Sequence, residues 1–113
     1  QVGVANILSN LGSTYFNAGE NTKAIDFYLR SLRISEELND SLRIGTALNG
    51  VGGVYNNNPA TEGKALEYFL RALPIFKAIG YDDGIGIVSM NVGEIYEKRK
   101  LYDSAIYYLD VSL

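Results

Sequence analysis

The sequence predicts an all-α fold, an α-solenoid of three helix-turn-helix repeats. Three observations lead there. A motif of the form x-[Leu/Val]-Gly-x-x-Tyr recurs as NLGSTY (10–15), GVGGVY (50–55) and NVGEIY (91–96), its glycines and tyrosines 40 and 41 residues apart. A second motif follows each copy, as AIDFYLRSL (24–32), ALEYFLRAL (65–73) and AIYYLDVSL (105–113). Within these units apolar residues step by three and four, which places them on one face of an α-helix. A fixed period of this length marks a repeat architecture, in which each unit buries its apolar face only against its neighbours.

The elements follow in order. Val4, Leu8, Leu11 and Tyr15 make the stripe of the first helix, and Ile44, Leu48, Val51 and Tyr55 that of its counterpart in the second repeat. Ala24, Tyr28 and Leu32, then Ala65, Phe69 and Leu73, stripe the second helices. The repeats run approximately over 4–40, 41–81 and 82–113 of a single domain. Gly19, Asn39 and Gly80 stand where left-handed C-terminal caps are needed, and both residue types accept positive φ. Ser41 and Asp82-Asp83 are the expected N-caps that follow. The second turn, 56–61, carries one extra residue, and Thr61 with Lys64 lacks the acidic partner of a capping box. Pro74 falls inside a second helix, where it removes a donor and predicts a kink or an early break.

Gly50, Gly52 and Gly53 invite comparison with a phosphate-binding loop. That loop needs its third glycine where Tyr55 stands, a strand before it and a helix after it. The repeat supplies a better reason. Gly12, Gly52 and Gly93 lie one turn before the tyrosines on the buried stripe, where a missing side chain lets the partner helix approach. Closer packing must offset about 1 kcal/mol of lost helix propensity at each.

Composition narrows the function. The chain has 113 residues, 47% of them apolar and 20% charged, enough for one domain with a real core. Its net charge of -3 gives no basic footprint for nucleic acid; the one basic cluster, Lys98-Arg99-Lys100, reads as a solvated helix end. Cysteine and histidine are both absent, which removes disulfides, thiolate chemistry and the commonest general base and metal ligand. No apolar run is long enough to span a membrane. Asp82-Asp83-Gly84 is not followed by carboxylates at calcium-ligand spacing. Neither catalysis nor a cofactor or metal is expected. The chain opens on Gln1, and is read as a fragment of a larger protein with any targeting signal outside it; the expected location is the cytoplasm.

The residues Leu11, Gly12, Tyr15, Ala24 and Tyr28, then Val51, Gly52, Tyr55, Ala65 and Phe69, then Val92, Gly93, Tyr96 and Ala105 resemble the tetratricopeptide repeat family in its longer, 40-residue form. There are departures. Leu8, Leu48 and Ser89 replace the family's tryptophan, and Glu36 stands where a proline would end the second helix. The resemblance implies a right-handed superhelix whose first helices line a concave groove, and a non-catalytic scaffold for proteins or peptides. It is similar to arrays that precede signalling output domains in bacteria, which implies a regulatory or sensor role.

In that geometry the groove is lined by Asn6, Ser9, Asn10, Ser13 and Asn17, then Thr46, Asn49, Gly53, Asn56 and Asn57, then Ile87, Met90, Asn91, Glu94 and Lys98. Asparagine both donates and accepts, so Asn10, Asn49 and Asn91 could hold the backbone of an extended peptide. Some family members grip a C-terminal carboxylate with lysines. Here Ser9, Ser13, Gly50, Ile87 and Asn91 hold those places, so that activity is not expected. Glu94, Glu97 and the net acidity favour a basic or neutral partner. Asp26 with Arg30 and Glu67 with Arg71 read as exposed helix pairs. Tyr15, Tyr28, Tyr55 and Tyr96 are expected in the core, with Tyr68, Tyr107 and Tyr108 freer. Ile106, Leu109 and Leu113 would face an absent neighbour, so the uncapped last helix predicts self-association or packing on another chain. The alternative reading is a structural spacer or dimerisation module with no groove ligand.

Overall fold

The computed structural model describes residues 1–112, with side chains as far as Asp110. Six α-helices follow one another: α1 (Val2–Asn17), α2 (Asn21–Glu37), α3 (Ser41–Tyr55), α4 (Glu62–Ala78), α5 (Asp82–Lys98) and α6 (Tyr102–Ser112). One 3₁₀ turn, Pro59–Thr61, precedes α4, and no strand occurs among the described residues. Helices adjacent in sequence pack on each other, so α1–α2, α3–α4 and α5–α6 form three hairpins. The first helices also meet, α1 with α3 and α3 with α5. The hairpins are stacked as the periodicity predicts.

The burial that holds them is shared between repeats. Ala24 and Tyr28 of α2 pack with Val51 and Val54 of α3. A second cluster joins Leu32, Leu48, Phe69, Leu73 and Phe76 to Val88, Val92 and Ile95, and so runs through all three hairpins. The stripe glycines explain the fit within each hairpin. A Cβ on Gly12 would lie 3.0 Å from the Tyr28 ring, one on Gly52 2.6 Å from Phe69, and one on Gly93 2.8 Å from Leu109. Each glycine therefore receives the large side chain at one repeated position of the second helix. Leu109 is thus used inside its own hairpin and does not face an absent neighbour, whereas Ile106 is exposed. Leu113 lies outside the described residues.

Four connections end in the same way. Gly19 (φ 80°), Asn39 (φ 53°), Gly80 (φ 66°) and Lys100 (φ 61°) are all left-handed. The next residue of each returns its N–H to the fourth-last carbonyl region of the helix, as in Glu20 to Tyr15 at 2.9 Å and Leu101 to Tyr96 at 2.9 Å, closing Schellman caps. Lys98-Arg99-Lys100 is therefore a helix stop with a strained lysine, more than a solvated end. The 56–61 turn departs because of its extra residue. Thr61 does not cap α4 through its side chain. Its hydroxyl donates to the carbonyls of Tyr55 and Asn58, closing the end of α3.

Three local expectations are corrected. The N-cap of α3 is Asp40, one residue before Ser41; its carboxylate accepts from the Arg43 N–H at 3.2 Å. The N-cap of α5 is Tyr81, and Asp82 and Asp83 lie in the first turn, where the helix dipole favours them. Pro74 causes no break: α4 runs through it to Ala78. Its ring is exposed while Ala72, Leu73 and Phe76 on the opposite face are buried, so packing holds the helix across the lost hydrogen bond.

The first hairpin is sealed partly by hydroxyls. Ser31 donates to the Ala5 carbonyl at 2.9 Å and lies 2.7 Å from the Ser9 hydroxyl; Ser35 donates to the Ser31 carbonyl. Ser31 and Ser35 stand where the second repeat has Ala72 and Phe76, so the two hairpins close by different chemistry at the same positions.

Candidate functional site: the groove of the first helices

The site begins with the start of α3. Asp40 caps the helix and, in doing so, holds the Arg43 guanidinium at 2.9 Å. The Arg43 Nε–H donates across to Asn6 Oδ1 of α1 at 2.8 Å. The guanidinium is thereby fixed between two helices, with part of its five-donor fork still open. Around it lies a cavity of about 340 Å³ lined by Asn6, Ser9 and Asn10 of α1, Leu42, Arg43 and Thr46 of α3, and Tyr81 ahead of α5. The Thr46 hydroxyl donates back to the Leu42 carbonyl, so it fixes its rotamer locally. On α5, Ile87 and Met90 are exposed. Amide, hydroxyl and guanidinium groups sit beside apolar ones, which suits a peptide segment with mixed side chains.

The predicted groove residues divide. Asn6 and Asn10 come together in the cavity. Ser13 is exposed, and its hydroxyl faces the phenol of Tyr28. Asn17 is the exposed last residue of α1, and Asn56 and Asn57 sit at and after the C-cap of α3, away from the cavity lining. Asn91 is half-buried on α5 and Glu94 exposed there. Asn49 and Asn56 each bury an Oδ1 that has no partner among the described residues. Asn49 also stands out of line. Asn10 and Asn91 lie two residues before their stripe glycines and Asn49 three, about 100° further round a helix. The place in line with them is Gly50, and the Tyr28 ring fills it; a Cβ there would be 2.5 Å away.

Arg43, Leu42 and Tyr81 are groove residues that repeat register alone does not pick out. The signal was present in Asp40-x-x-Arg43: a capping carboxylate three residues before an arginine aims that arginine along the helix end. No group of acidic residues suited to a metal ion occurs among the described residues. None of the described helices is long and apolar enough to cross a membrane.

The model of the tetratricopeptide repeat family matches residues 3–56. Residues 3–56 are thus matched as tetratricopeptide repeats. Among solved structures, the chain is similar to the crystal structure of the TPR domain of Arabidopsis FLU, at a TM-score of 0.85 and 20% identity, covering 97% of this chain and 92% of that one. That likeness shows the fold and extends it over the third hairpin, beyond the matched residues. A search of curated protein sequences found no match. Tetratricopeptide repeats are in general non-catalytic scaffolds for protein–protein interaction.

Proposed function

We propose that this tetratricopeptide repeat chain is a docking scaffold whose first-helix groove holds an extended segment of a protein partner. The cavity between α1, α3 and Tyr81 carries the reading: it gathers three amide or hydroxyl side chains of α1 and a positioned arginine of α3. Asn6 accepts from Arg43 and so keeps its amide N–H groups free to meet a peptide carbonyl. Asn10 offers both a donor and an acceptor. The open donors of Arg43 suit a carbonyl or carboxylate of the bound segment, while Leu42, Ile87 and Met90 offer contact for apolar side chains. The same resemblance supports a regulatory place in a larger signalling protein.

The experiment is selection of peptides on the wild-type chain by display, followed by fluorescence anisotropy with variants. Replacing Asn6 and Asn10 together by alanine should weaken the selected peptides about tenfold, the loss of one or two net hydrogen bonds, with the helical circular dichroism unchanged. Selected peptides that bind the double variant as well as the wild type would leave the spacer reading in possession.

A further inference from the structure

A second surface, sharing no residue with the groove, emerges from comparing the three hairpins. Each pairs an aromatic ring of its first helix with one of its second, at positions in register. Tyr15 stacks on Phe27 at 5.3 Å, Tyr55 meets Tyr68 at 5.8 Å and Tyr96 meets Tyr108 at 5.7 Å. In repeats one and two each pair carries two cations. Lys23 Nζ lies 5.3 Å from the Tyr15 centroid and Lys64 Nζ 5.4 Å from Tyr55. Arg30 lies 5.4 Å from Phe27 and Arg71 5.2 Å from Tyr68. The cations stabilise the ring faces through the π quadrupole. Arg71 is used this way, with no ion pair to Glu67 among the described residues, while Arg30 also pairs with Asp26 at 3.0 Å.

Repeat three lacks both. Ser104 stands where Lys23 and Lys64 stand, and Val111 where Arg30 and Arg71 stand. No lysine or arginine lies over Tyr96 or Tyr108 among the described residues. A third ring is added instead: Tyr107 meets Tyr108 edge-on at 5.0 Å and 89° and is 58% exposed. A cleft at the turn into the second helix, which includes the lysine position, is kept. In repeat one a cleft of about 470 Å³ is lined by Gly19, Glu20, Asn21, Thr22 and Lys23; in repeat three one of about 460 Å³ is lined by the equivalent Lys100, Leu101, Tyr102, Asp103 and Ser104. The charge around it has also changed. Lys100 lines this cleft where repeat one has Gly19, but the helix stretch 102–112 holds Asp103 and Asp110 and no cation, whereas α2 and α4 each carry three. Arg99 is turned away to Glu62, 3.1 Å distant.

We propose that the tyrosine cluster of repeat three, Tyr96, Tyr107 and Tyr108, receives a lysine or arginine side chain from a basic segment of a partner protein. That side chain fills the place which Lys23 and Lys64 fill in the other two hairpins. The chain's own repeats thus define the chemistry of the occupant, and the acidic α6 draws it in.

The test uses fluorescein-labelled hexalysine and its fully Nε-acetylated form, read by anisotropy at low ionic strength. Hexalysine should bind and the acetylated peptide should not. Ser104→Lys supplies an internal cation and should weaken hexalysine about two- to fivefold, the worth of one exposed cation–π contact. Thr22→Lys adds the same charge in repeat one, where Lys23 already serves, and should leave binding unchanged. Tyr107→Leu, at an exposed site, should weaken binding with the helical signal retained. Equal losses in Ser104→Lys and Thr22→Lys would show net charge alone and overturn the proposal, as would no loss in Ser104→Lys and Tyr107→Leu. Sedimentation of the chain without peptide decides a further outcome: a dimer abolished by Ser104→Lys makes a second copy the occupant and also overturns it. The Asn6 and Asn10 double variant should bind hexalysine normally, so failure of the groove reading is separable.

Discussion

Gly52 and Gly53 are neighbours in one helix with opposite roles. A Cβ at Gly52 would lie 2.6 Å from the Phe69 ring, and Phe69 is fully buried with nowhere to move; a Cβ at Gly53 would meet nothing within 4 Å. Helix propensity favours alanine at both by about 1 kcal/mol. Gly53→Ala should therefore raise stability by about that amount. Gly52→Ala should lower it by about 1–3 kcal/mol, because overpacking a filled core outweighs the propensity gain. Thermal unfolding followed by circular dichroism checks both signs. The sequence makes this contrast legible, since Gly52 recurs in every copy of the motif and Gly53 does not. It hides what Gly50 does, because no repeat period reveals that the Tyr28 ring of the preceding hairpin lies against it. The tyrosines show the same limit. Tyr28 is buried as expected, but Tyr15, Tyr55 and Tyr96 are half-buried, and Tyr68 and Tyr108, expected to be freer, are the ring partners of Tyr55 and Tyr96. A period reports which residues are equivalent, not how deep they lie.

Helix existence and order follow from the apolar spacing, while helix ends depend on single side chains that compete. Asp40 outcompetes Ser41 as a cap because its carboxylate can hold both the Arg43 N–H and the Arg43 guanidinium. The Thr61 hydroxyl is drawn to the carbonyls at and just after the end of α3. Lys100 shows how far geometry overrides residue preference. Its backbone is left-handed at φ 61°, in the place that Gly19 holds in repeat one, because α6 must turn back onto α5 there. A non-glycine residue pays about 1–2 kcal/mol in that region, and glycine returns part of the gain as unfolded-state entropy. Lys100→Gly should therefore raise stability by about 0.5 kcal/mol, seen as a later denaturation midpoint with an unchanged denaturant slope. The equivalent change at Asn39 should give less, since asparagine already tolerates the left-handed region.

At the scale of the whole molecule, the stack is a chain of shared clusters, and Tyr28 is the ring that ties the first hairpin to the second. It contacts Gly12 within its own hairpin and Gly50 in the next. The stacking was legible in the sequence because it needs only the repeat; the groove was half legible, because Asn6 and Asn10 follow register whereas Arg43 is placed by a cap. The tie has a consequence for pH. Burial raises the Tyr28 phenol above its ordinary value, against a smaller lowering from the Ser13 hydroxyl. Burial also raises Tyr108, helped by the neighbouring Tyr96 and Tyr107 phenols. The folded chain thus holds these protons more tightly than the unfolded chain does. The stability they contribute is fully present below the unfolded value of about 10 and is lost as pH rises through it towards the folded values. Replacing the Tyr28 hydroxyl isolates its part in this effect. Tyr28→Phe should make the alkaline fall in melting temperature shallower. A fall of equal steepness in Tyr28→Phe and wild type would mean that the buried phenol at the junction of the first two hairpins does not govern alkaline unfolding.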